Sequence, residues 1–153
     1  MHRPNFRRAV HDDLPIIVKL LADDELGARR EDIRQPLDQA YLSAFAAIDR
    51  DPNQYALVME IEETIVGYLQ ISFIPGLGHK GRWRGQIENV RIASDRRGNG
   101  LGTAMIRWAI GRCQARGCGL VQLTTDKSRD SALRLYERLG FVATHQGMKL
   151  VIG

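Results

Sequence analysis

Arg97-Gly98-Asn99-Gly100-Leu101-Gly102-Thr103 is the run in this chain whose residue types and spacing best suit chemistry. Its glycines let the backbone turn tightly and take positive φ, so successive N–H groups converge on one point. The strand-like stretch Ile87-Glu88-Asn89-Val90-Arg91-Ile92 leads into it, and a helical pattern from Leu101 to Arg116 follows. At a helix start the free N–H groups add to the dipole, making an anion site suited to phosphate or pyrophosphate. Two kinds of phosphate loop are excluded by spacing. A dinucleotide fold needs Gly-x-Gly-x-x-Gly. A P-loop ends in Gly-Lys-Ser/Thr, whereas Thr103-Ala104 follow the last glycine here.

Read as Arg-x-x-Gly-x-Gly, residues Arg97 to Gly102 resemble the acetyl-CoA loop of the GNAT N-acetyltransferase superfamily. A later stretch, Ala132-Leu133-Arg134-Leu135-Tyr136-Glu137-Arg138-Leu139-Gly140-Phe141, resembles the same superfamily's short helix carrying Tyr-Glu-x-x-Gly-Phe. The two motifs stand in that family's order, with a strand pattern from Gly119 to Thr125 between them.

The resemblance implies roles. Arg97, Gly98, Asn99, Gly100, Leu101, Gly102 and Thr103 would hold the pyrophosphate of acetyl-CoA. Backbone groups around Val90 and Ile92 would pair with the pantetheine arm and aim an N–H at the acetyl oxygen. Glu88 stands where several family members carry an acid, and it is the candidate for deprotonating the amine. A partly buried carboxylate there would have its pKa raised toward that of a useful base. Gln86 shares its face and Asn89 lies opposite; either would orient the amine or a relay water. Tyr136 matches the tyrosine that meets the CoA sulfur, and a phenol with pKa near 10 donates to a thiolate without ionising. One departure stands out: Arg129 occupies a position where many members carry asparagine, and it would contact a CoA phosphate instead. Plainer readings stay open, with the loop a structural turn, Glu88 an ion-pair partner and Tyr136 a core aromatic.

The implied activity is acetyl-CoA-dependent N-acetyl transfer to a primary amine by direct attack. Transfer of a different acyl group, or a CoA-binding regulatory module without turnover, are the alternatives, with a nucleic-acid binder third. In this family the first two helices, their linker and the loop after the third strand line the acceptor, here about Asp23 to Pro36 and Pro75 to Arg84. Those segments mix Asp23, Asp24 and Glu25 with Arg29, Arg30 and Arg34, so small-molecule and protein amines both remain open. Homodimers are common among similar proteins.

Composition sets the frame. A chain of 153 residues with 44% hydrophobic and 26% charged residues reads as one domain over residues 1–153. No apolar run approaches the roughly 18 residues of a membrane span, and Met1-His2-Arg3-Pro4-Asn5 lacks a signal-peptide core. Cys113 and Cys118 make no disulfide framework and stand in no metal-ligating cluster. The expectation is a reduced, cytoplasmic, metal-free protein away from membranes. The net charge of +4 draws on arginines that cluster at Arg96-Arg97 and at Lys127, Arg129 and Arg134. They flank the two motifs, which suits a polyphosphate ligand without invoking nucleic acid.

The pattern of elements predicts an α/β chain in the α+β sense. Phe6 to Val10 reads as a strand, and His11-Asp12-Asp13 offers caps for a helix carrying Leu14, Ile17, Leu20 and Leu21. Glu25 to Gln35 reads as a charged loop, and Pro36 to Ile48 as a helix with Pro36 in its first turn. Tyr55 to Ile61 alternates as a half-buried strand, and Thr64 to Ile74 and Arg84 to Ile92 are further strands. Glu62-Glu63-Thr64 is the turn between the first two of these, without the favoured Asn-Gly. Pro75 to Gly81 is a loop. After the helix from Leu101, which presents Leu101, Met105, Trp108 and Ala109 to the core, come a strand from Leu120 to Thr124 and a helix from Asp130 to Leu139. Phe141-Val142 and Met148 to Ile152 would close the sheet. The order matches the GNAT fold: a mixed, mostly antiparallel sheet with helices on both faces and a splayed strand pair beside the glycine loop.

Overall fold

Five strands pair in chain order: β1 (Asn5–Arg8), β2 (Gln54–Ile61), β3 (Thr64–Ile74), β4 (Arg84–Ile92) and β5 (Leu120–Leu123). All neighbours are antiparallel except β4 and β5, which run parallel. This computed structural model describes residues 2–153. The helices are α1 (Leu14–Ala22), α2 (Glu25–Arg30), α3 (Gln39–Arg50), α4 (Gly78–Gly81), α5 (Leu101–Ala115) and α6 (Asp130–Arg138). None is long and apolar enough to cross a membrane.

Alternation along β2 sorts its side chains into two cores. Tyr55, Leu57, Met59 and Ile61 pack with Met105, Ile106, Ala109 and Cys113 of α5 and Tyr136 of α6. Ala56 and Val58 pack on the opposite face with Leu14, Ile17 and Leu20 of α1 and Phe45 of α3. The strand expected to be half-buried is therefore covered on both sides, because helices lie on both faces of the sheet. Gly85 lets α5 come down onto β4, since a Cβ there would collide with the Cys113 sulfur. Ile106 and Cys113 join the buried face of α5, while Leu101 and Trp108 pack at its margin.

Three local expectations change, while the turn between β2 and β3 stands where expected. Glu25 to Gln35 begins as helix α2, because the Asp24 carboxylate accepts from the Gly27 N–H and caps it. α3 starts at Gln39, capped by Asp38, so Pro36 precedes the helix. Glu62 and Glu63 turn with φ of 50° and 65°, left-handed values that the register forces on two side chains that disfavour them. Phe141-Val142 and Met148 to Ile152 form no strand: Met148, Leu150, Val151 and Ile152 are 85–92% exposed, and β5 ends the sheet. Their composition suits a strand, but a strand forms only by pairing, and this segment does not pair with the open edge of β5.

One ion-pair group ties β1 to α1 and β2. Arg7 donates to both oxygens of Asp13 at 2.7 and 3.0 Å and to Glu60 at 3.0 Å, and Asp13 also accepts from the Val10 N–H. The Arg7 hydrogen bonds hold the Asp13 and Glu60 carboxyls below their ordinary values. Carboxylates depressed in the fold stabilise it above their unfolded values near 4, and that stability is lost as pH falls through the folded values. Arg7 keeps a third of its side-chain surface in water, so Arg7→Gln should lower stability at pH 7 by only about 1.5 kcal/mol. Urea midpoints of both proteins should converge as pH drops below about 4. A gap that does not narrow at all as pH falls below about 4 would remove these pairs from the acid response.

Candidate active site

The site begins where β4 leaves β5. Their pairing runs from Arg84 with Leu120 to Ile87 with Leu123 and then stops, although β4 continues to Ile92. On its other edge β4 stays paired to β3, with a register shift opposite Tyr68 and Gln70. Asn89 sits in that shift with φ of 57°, the signature of a bulge. The Ala93 N–H bonds back to Val66 of β3. By alternation, the backbone groups of Ile92 and Val90 face the open, splayed side. The Val90 carbonyl accepts from Arg91 at 2.9 Å and the Ile92 carbonyl from Arg97 at 3.2 Å.

At the far end of this slot lies the glycine loop. Gly98 and Gly100 take φ of 84° and 74°, and Gly100 caps α5. Among the described residues, no backbone or side-chain acceptor bonds the amides of Gly98, Asn99, Gly100, Leu101, Gly102 or Thr103; Ala104 is the first to bond back, to Gly100. A row of free amides at the positive end of a 15-residue helix fits a pyrophosphate. The Asn99 amide closes the loop onto the Arg96 carbonyl at 3.0 Å. The Arg97 guanidinium is engaged otherwise, donating to Ile92 and, at 2.7 Å, to the Asp23 carbonyl. It therefore braces the loop against the end of α1.

Tyr136 comes from α6 and is buried, with its ring edge-on to Phe141 at 5.9 Å. Its hydroxyl bonds to no described residue. Burial pushes the phenol above its ordinary value, while the charges of Arg129 and Arg91 pull it down. Glu88 follows the last paired residue of β4 and is exposed, which corrects the expectation of a partly buried carboxylate: the splay leaves it without a neighbour on the β5 side. Gln86, expected to orient the amine or a relay water, accepts from Gln122 of β5 at 2.6 Å.

Two residues that sequence reasoning passed over belong here. Tyr68 lies diagonally across from Glu88 on the same face, and burial, with Glu88 adding to it, pushes its phenol up to about 12. Arg91 is buried within the strand. Its signal was available: an arginine between apolar neighbours, Val90 and Ile92, at the strand's end. Arg129, expected at a CoA phosphate, places Nη2 2.7 Å from Asp24. Two shallow hollows of about 360 and 340 Å³ flank α1; Asp23 lines the first, and Glu88, Arg91, Arg129 and Tyr136 line neither.

A family model described as the acetyltransferase (GNAT) family matches residues 17–141. The chain is 32% identical over 115 residues to an aminoalkylphosphonate N-acetyltransferase of Salmonella typhimurium, covering 74% of this chain and 73% of that protein. A crystal structure of a transcriptional regulator from Bacillus halodurans superposes with a TM-score of 0.95 at 47% identity, over 98% of this chain and 100% of that one. An acetyltransferase of Trypanosoma brucei superposes at 0.78 with 28% identity, over 98% and 100% of the two chains. The splayed strands, the free amides at the start of α5 and these matches lead to one conclusion: the chain belongs to the acetyltransferase (GNAT) family and is an N-acetyltransferase.

Proposed function

We propose that this enzyme transfers the acetyl group of acetyl-CoA to a primary amine by direct attack. The observation that carries the reading is the parting of β4 from β5 after Ile87, with the free amides of residues 98–103 at the start of α5 beyond it. Bound acetyl-CoA supplies the activated thioester. The amides of Gly98 to Thr103 hold its pyrophosphate, and the N–H groups on the open edge at Val90 and Ile92 orient its arm and polarise the acyl oxygen. Tyr136 holds a proton beside the sulfur and donates it as the thiolate departs. Glu88, at the mouth of the bulge, draws the proton from the incoming ammonium, directly or through water.

Direct attack is favoured over a covalent acetyl-enzyme by the cysteines. Cys113 is fully buried and burial pushes its thiol up to about 11; burial raises Cys118 as well. Neither supplies a thiolate at neutral pH. Initial rates with both substrates varied should therefore give intersecting lines. Parallel lines with an acetylated cysteine would overturn direct attack. Glu88→Gln should lower kcat by about tenfold or more, within the span of a positioned base, with the deficit widening as pH falls and less free amine is present. A deficit that is the same at every pH would assign Glu88 to binding rather than proton transfer. The reading includes a homodimer, which would cover the open β5 edge and the exposed apolar residues from Met148 to Ile152. Light scattering at the mass of a single 17.2 kDa chain would remove that part.

A further inference from the structure

Arg91 is a guanidinium that the fold buries without fully partnering. Its side chain is 8% exposed, and a guanidinium carries five N–H donors. Nη1 donates to the Val90 carbonyl at 2.9 Å. Nε is sealed from solvent and bonds to nothing. Asp24 comes no nearer to Nε than 3.9 Å, too far for a hydrogen bond. That carboxylate is already committed: one oxygen accepts from the Gly27 N–H, and the other lies 2.7 Å from Arg129 Nη2. The charges of Arg30 and Glu31 also reach Arg91, but Glu31 accepts from the Tyr41 hydroxyl at 2.9 Å. Three guanidiniums thus face Asp24 and Glu31, with Asp126 acting on Arg129 and Arg30, and each of these carboxylates is already hydrogen-bonded.

A buried cation without a full partner is strongly unfavourable, and so is a buried donor without an acceptor. An incoming anion would offset the charge. The position matters as much as the charge. Arg91 and Arg129 both act on the Tyr136 phenol, and Arg91 shares a sheet face with Tyr68. The cluster therefore lies at the reacting end of the slot, apart from the glycine loop. Planar guanidiniums suit a carboxylate or a tetrahedral oxyanion, each of which offers two oxygens to the fork.

We propose that Arg91 and Arg129 hold an anionic group, a phosphonate, phosphate or carboxylate, carried on the same small molecule as the acceptor amine. The inference deepens the amine-acetylation reading and rests on it. Arg91 is then a specificity-determining residue: it tethers the far end of the acceptor and so sets where the amine sits relative to Glu88.

The test is thiol release from acetyl-CoA by the intact protein with three amines of similar length: 2-aminoethylphosphonate, 3-aminopropanoate and uncharged propylamine. At least one anionic amine should exceed propylamine in kcat/KM by about tenfold or more, and the larger of the two responses identifies the anion. Arg91→Gln should erase most of that ratio, chiefly through KM, and Arg91→Lys should restore part of it. Arg50→Gln removes the same charge from the exposed end of α3 and should leave the ratio intact. Should the Arg91 variants fail to fold, the wild type decides: ethylphosphonate or propanoate, the anions without the amine, should inhibit competitively against the amine and not against acetyl-CoA. An equal response to all three amines, a ratio that survives Arg91→Gln, or competition only against acetyl-CoA would overturn the inference. Thiol release that no amine raises above its background would instead sink the amine-acetylation reading beneath it.

Discussion

Replacing Tyr136 with phenylalanine should lower kcat by about 10²- to 10⁴-fold and leave CoA affinity nearly unchanged. The argument starts from packing. The ring is buried against Phe141 and the α5 side of the core, and phenylalanine keeps that volume. The hydroxyl has no partner among the described residues, so its removal orphans none of them and should barely affect stability. What disappears is a proton held where the thiolate forms, an interaction needed only as the bond breaks. The proton is available because burial keeps the phenol above its ordinary value despite Arg129 and Arg91. Steady-state kcat, read beside a calorimetric CoA titration, separates the outcomes. Wild-type turnover would make Tyr136 a packing residue and leave protonation of the thiolate to solvent.

The second large effect falls on the glycine loop. Gly100→Val should weaken CoA binding by about ten- to a hundredfold, roughly 1.4–2.7 kcal/mol. Gly100 holds φ of 74° as the cap of α5, and a β-branched residue is a genuine outlier there. Apart from its two chain neighbours, no described residue comes within 4 Å of a Cβ at this position. The fold therefore accommodates the side chain, and the strain falls on the loop that carries the free amides. Calorimetry with a melting curve as the folding control gives the answer. Unchanged affinity in a folded variant would remove these amides from phosphate binding.

Much of this architecture was legible because it is local. β3 and β4 begin and end where their β-branched and apolar runs do, and α5 starts at the residue after Gly100. Glycine spacing names an anion loop because only glycine takes those φ values without strain. Long-range features were not legible. α2 looked like a charged loop because its cap, Asp24, acts through one backbone bond in a polar setting. The exposure of Glu88 follows from where β4 and β5 part, which no property of the β4 sequence sets. Arg91 and Arg129 meet over Asp24 from elements far apart in the chain, so their shared site emerges only in three dimensions. The strand-like C-terminus misled for the converse reason: its residues favour a strand, but pairing is a property of two segments.

The central claim is that this slot moves an acetyl group from CoA to an amine, and thiol release from acetyl-CoA with and without amine tests it most directly. The account predicts slow release alone and a rise with amine that saturates, matched by acetylated amine in equal amount. Tight CoA binding without amine-dependent release, across small-molecule and peptide amines, would contradict it and leave a CoA-binding module in place of an enzyme.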